Sequence, residues 1–127
     1  MQSNRVLVWI AALGGSLLPV LMAAEASGKI EASPNPCVIE RGEKMCASHI
    51  TWSTHDVKHA RVFVKNEGKQ GMEEHEFGNG LSCESQKCRA PWIRERTSYT
   101  FTLYDYSSGS RGRELASVTV TAKGGEK

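Results

Sequence analysis

The chain has no Cys-x-x-Cys pair, no Gly-x-Ser-x-Gly pentapeptide and no long block of like charges. The first absence removes the dithiol redox motif, and the second removes the nucleophile elbow of one large hydrolase class. With no nucleophile placed beside a base, the chain reads as non-catalytic. Lys and Arg total 16 against 14 Asp and Glu, and a formal charge of +2 is too mild to point to nucleic acid. Internal repeats and low-complexity blocks are missing too, and no cofactor is expected. Beyond residue 26 no stretch is apolar enough to cross a bilayer.

The one long apolar run stands at the start. Arg5 supplies a positive charge, and the run extends from Val6 to Met22, broken only by small residues and Pro19. Ala24-Glu25-Ala26 has the small-x-small spacing that signal peptidases cut after. A membrane anchor is the alternative, but the run is short, and Gly14-Gly15-Ser16 and Pro19 weaken a spanning helix. Residues 1–26 are therefore expected to be a cleaved secretory signal. That leaves one domain over residues 27–122 and a loose tail at 123–127, secreted or periplasmic, with no membrane span after cleavage.

All four cysteines, Cys37, Cys46, Cys83 and Cys88, fall in the exported part. An even count in such a chain suggests disulfides. Local pairing is expected, Cys37 with Cys46 and Cys83 with Cys88. In the first loop Val38-Ile39 and Lys44-Met45 would flank a turn at Arg41-Gly42, giving a clamped hairpin. In the second, Glu84-Ser85-Gln86-Lys87 would close a short polar loop. Zinc sites space their cysteines more tightly than the first pair.

Short alternating runs separated by turn-rich pieces indicate an all-β domain. In Tyr99–Tyr104, Tyr99, Phe101 and Leu103 share one face, while Thr100, Thr102 and Tyr104 share the other. Ala116, Val118, Val120 and Ala122 alternate in the same way, after a loop at Ser107–Gly112. Upstream, Ile50 pairs with Trp52, and Ala60 with Val62 and Val64. Gly78-Asn79-Gly80, between Phe77 and Leu81, reads as a turn. Pro34 and Pro36 split the first strand and suit a sheet edge. The expectation is an antiparallel β-sandwich of about seven strands, because each one-sided sheet needs another to cover it.

Trp52 on an early strand, followed by Ile93-x5-Tyr99 with Thr97 between, resembles the fibronectin type III domain. Glu95 stands where that family usually has proline. Ile50–Thr54 and Leu115–Val120 are similar to bacterial immunoglobulin-like modules of secreted proteins. The resemblance implies a structural role for Trp52, Ile93 and Tyr99, with the Tyr99 hydroxyl bonded back to the backbone near Ile93. It does not fix a function.

Exposed aromatic rings can stack on sugars or anchor proteins. Trp92, Tyr104, Tyr106, Arg111 and Arg113 are the candidate contacts, the last two in the loop between the final strands. Phe63 and Tyr104 covering one another across strands is the blander expectation for those rings. Lys87, Arg89, Arg94, Arg96, Arg111 and Arg113 read as solvated surface, or more sharply as a patch for an acidic polymer. Glu73, Glu74, His75 and Glu76 read as loop residues. The expected function is binding, to a protein or glycan in the cell envelope or outside the cell. A structural subunit of a surface assembly is the first alternative. A metal-handling protein using His55, His59 and His75 is the second.

Overall fold

The computed structural model describes residues 25–67, 73–84 and 86–124. The expected signal up to residue 24 and the tail from residue 125 lie outside the described residues. Nine strands and no helix are found among the described residues. They are β1 (Ser27–Ser33), β2 (Cys37–Ile39), β3 (Met45–His55), β4 (Ala60–Asn66), β5 (Glu74–Asn79), β6 (Arg89–Arg94), β7 (Tyr99–Asp105), β8 (Glu114–Val120) and β9 (Ala122–Gly124). One antiparallel sheet has the order β1-β3-β6, and a second has β5-β4-β7-β8. β2 and β9 form a short parallel pair. The all-β class and the antiparallel sheets are as expected. The two short strands β2 and β9 raise the count above the expected seven.

Period-two patterning explains which side chains meet. Phe101 and Leu103 of β7 and Val62 of β4 are fully buried, as are Ile50 of β3 and Ile93 of β6. These come from the facing sides of the two sheets and belong to one core. Burying each such side chain stabilises the fold by roughly 1.5–3 kcal/mol.

The two lateral sides of this double layer differ. On one, the chain itself covers the edge. β1 pairs along β3, then Pro34-Asn35-Pro36 ends it, and β2 resumes beside β9. Asn35 sits against the edge of β8 as a backbone residue would. Its amide donates to the Thr119 carbonyl at 2.9 Å, and its side-chain oxygen accepts from the Thr121 N–H at 3.2 Å. Gly28 allows the close approach here, since a Cβ on it would come within 2.7 Å of the Leu103 side chain. On the other side, among the described residues, β5 pairs only with β4 and β6 only with β3, with one bridge from Glu95 just past β6 to Ala122.

Both expected disulfides are present, Cys37–Cys46 and Cys83–Cys88, with Cα separations of 5.9 and 6.5 Å. They suggest an oxidising environment. Each closes a short loop, which the chain-entropy model values at about 2–3 kcal/mol. The first does not clamp a hairpin, however. β2 pairs with β9 rather than β3, so the bond ties the β2-β9 pair to the three-stranded sheet. β9 also takes in Lys123 and Gly124, beyond the expected end of the domain.

The expected turn at Gly78-Asn79-Gly80 begins later than its glycines suggest. Gly78 and Asn79 are the end of β5, and Gly80 follows with φ of +124°. Gly78 serves a different need: a Cβ there would lie 2.8 Å from Cη2 of Trp52. Overpacking of that kind typically costs about 1–3 kcal/mol. Gly78→Ala is therefore expected to lower unfolding free energy by roughly that amount in urea titrations, and an unchanged midpoint would remove this role for Gly78.

Candidate functional site

The five expected contact residues do not form one site. Tyr104 and Tyr106 lie on the outer face of the four-stranded sheet or just past it. There they meet Phe63 of β4, with ring centroids 6.0 Å apart in each case. Arg111 reaches back from the β7–β8 loop over this group, 4.1 Å from the Tyr104 ring centre and 4.5 Å from that of Phe63. Arg61 does the same over Tyr106 at 4.7 Å. Each guanidinium also has an acidic partner on β5. Arg111 pairs with Glu74 at 2.9 Å and Arg61 with Glu76 at 3.2 Å. Burial works against the charge on Arg111, but hydrogen bonds to Glu74 and Tyr106 and the neighbouring negative charge outweigh it, so its affinity for the proton rises.

This outer face is thus internally satisfied. The rings are half-buried under arginines whose charges are matched by glutamates. Each cation–π contact adds only about 0.5–1 kcal/mol at such exposed positions. The arrangement fastens the β7–β8 loop to the sheet more than it offers open ring faces. Arg113 donates to the Ala26 carbonyl and lends its charge to Asp105.

Trp92 lies elsewhere. It is half-buried, with Phe101 stacked at 6.0 Å and Tyr99 tilted at 5.2 Å. Phe77 of β5 stands edge-on to it at 6.4 Å and to Trp52 at the same distance. The Tyr99 hydroxyl donates to the Trp92 carbonyl at 3.3 Å, next to Ile93, which fixes the approach to β7. Trp52, Phe77, Trp92 and Tyr99, with Phe101 buried behind them, line a cleft of about 1010 Å³ between β5 and β6. Glu73 and His75 line it on the β5 side, and Lys87 and Arg89 line it opposite, while the Glu76 carboxylate is turned to the outer face. Acid therefore faces base across an apolar floor. The volume is at the upper end of the range usual for ligand sites.

Several of these residues were not singled out by sequence pattern. Reading Glu73–Glu76 as loop and Gly78 as turn hid the strand between them. Glu74 and Glu76 in fact point to the outer face, where they pair with Arg111 and Arg61. His75 and Phe77 line the cleft. That alternation was available in the sequence. His55 ends β3, His59 lies in the loop before β4 and His75 is on β5, and among the described residues no three His, Cys, Asp or Glu side chains come together as a metal site. No helix among them is long and apolar enough to cross a membrane. Comparison with protein-family models, curated proteins and solved structures gave no significant match.

Asp105 gives this region a pH dependence. The hydroxyl and N–H of Ser107 donate to its carboxylate, the N–H at 2.8 Å, and Arg113 adds a favourable charge. These effects outweigh burial and hold its pKa below the usual carboxylate value. The stabilisation is complete above the unfolded-state value of about 4 and is lost as pH falls through the lower folded value. Asp105→Asn is expected to lower the Tm at neutral pH, with the gap to the parent closing as the pH is taken well below 4. A gap that stays constant across that range would contradict the assignment.

Proposed function

We propose that this chain is an exported immunoglobulin-like or fibronectin type III-like β-sandwich that binds a protein or glycan partner without catalysis. The strand orders β1-β3-β6 and β5-β4-β7-β8 support that architecture, as does the Tyr99 bond to the backbone beside Ile93. Export is supported by the N-terminal sequence and by two disulfides.

The observation that carries the binding reading is the aromatic-floored cleft with oppositely charged walls. It moves the emphasis away from Tyr104, Tyr106, Arg111 and Arg113, which are engaged with one another or with neighbouring groups. Trp92 stays in the site. The open edges of β5 and β6 also fit a subunit that assembles with others through a strand edge, and that reading places the contact on the same side of the molecule.

Immobilised oxidised protein, its Arg89→Glu variant and its Arg111→Ala variant should be compared for retention of envelope and culture-fluid components and for binding to a glycan array. The expected result is a retained partner that Arg89→Glu loses and Arg111→Ala keeps. Equal retention by all three, loss only with Arg111→Ala, or no specific partner would overturn the assignment.

A further inference from the structure

Two features of the cleft narrow its ligand class beyond a generic partner, on the premise that the cleft is the binding site. The first is the backbone. β5 has six residues and, among the described residues, pairs on one side only, so the N–H and C=O groups not bonded to β4 turn away from it, in an alternation interrupted by a bulge at Phe77. Those groups lie on the open lateral side where the cleft begins. Six residues of strand span about 20 Å, enough for a peptide of similar length to pair along it. Such pairing would bring alternate side chains of the added strand over the cleft.

The second feature is the floor. A sugar-binding platform needs an aromatic ring with an open face. Trp92 has Phe101 stacked against it at 6.0 Å, and Phe77 and Tyr99 lie around it. With Phe101 buried behind Trp92 and Phe77 and Tyr99 set at steep angles beside it, the surface is a cluster of tilted rings, which suits an apolar side chain better than a flat sugar face. Beyond the floor, Lys87 and Arg89 stand on the wall opposite β5, while Glu73 stands on the β5 side. An inserted strand would meet positive charge at its cleft-facing side and negative charge at its β5 side.

We infer that the cleft takes an extended peptide segment that adds to the free edge of β5. An apolar side chain of that peptide fills the space above Trp92 and Phe77. An acidic side chain two residues away reaches toward Arg89. The backbone ladder supplies affinity and the alternate side chains supply selectivity. A glycan ligand would not use the β5 backbone in this way.

A phage-displayed library of random dodecapeptides panned on the oxidised protein tests this. Enriched peptides should share an apolar residue and an acidic one at i and i+2. In a synthetic copy, N-methylation of amides that face β5 should weaken binding about tenfold or more, the loss of roughly one hydrogen bond. Methylation of the alternate amides should leave it nearly unchanged. Panning on Arg89→Glu should exchange the acidic preference for a basic one. No enrichment, or enrichment blind to the methylation pattern, overturns strand addition. Glycan-array binding that is lost in Arg89→Glu, with no peptide selected, also overturns it while leaving the cleft as the site. Ligand binding indifferent to Arg89→Glu overturns both.

Discussion

The Trp52 indole joins the two sheets at two points. It rises from β3 in one sheet, and its six-membered ring lies against Gly78 of β5 in the other. Its Nε1–H donates to the Gly80 carbonyl oxygen at 3.0 Å, so the one polar atom of a ring that is 3% exposed is satisfied. Removing a buried ring of this size typically costs about 3–5 kcal/mol, more than either short-loop disulfide is expected to supply. The backbone of β3 adds to the same joint. Trp52 exchanges both backbone hydrogen bonds with Cys83, which brings the chain leaving β5 across to the three-stranded sheet. The Cys83–Cys88 bond then closes the crossing just before β6 begins.

That joint also fixes how the molecule presents itself. Near β1 and β8 the lateral side is sealed by β2, β9 and the Asn35 amide, with Cys37–Cys46 holding the seal to β3. Near β5 and β6 the sheets are held at one end by the Trp52 joint and the crossing, and the cleft lies between them. Phe77 belongs to both worlds. It packs against Phe101 in the core at 5.0 Å and also against Trp92 in the floor of the cleft. Core packing and the shape of the cleft therefore rest on the same rings. The outer face of the four-stranded sheet differs, since its aromatic rings are already covered by paired arginines.

Much of this was legible in the sequence where side chains alternate without interruption. Tyr99-Phe101-Leu103 and Ala60-Val62-Val64 mark their buried faces directly, and the Cys spacing points to the local disulfides. Legibility failed where a residue type serves two purposes. Gly78 carries a turn signal but sits in a strand because a tryptophan needs the room. Arg41-Gly42 reads as a hairpin tip, yet the strand before it finds its partner some eighty residues later in β9. The cleft could not be read at all, because β5 and β6 follow one another in the chain yet belong to different sheets, and only the topology brings Phe77 to Trp92. Tyr104 and Tyr106 read as exposed because Arg61, and the Glu74 that holds Arg111 in place, are remote along the sequence.

The double layer is pinned at Trp52, and among the described residues β5 is left as an open edge. Hydrogen exchange of the oxidised protein, followed by NMR at backbone amides and tryptophan indoles, reads both features in one measurement. The Trp52 indole proton should be among the slowest to exchange, and within β5 the amides bonded to β4 should be slow and those turned away fast, on either side of the bulge at Phe77. A Trp52 indole that exchanges as freely as an exposed ring, or amides of β5 that are all equally protected, would contradict this arrangement.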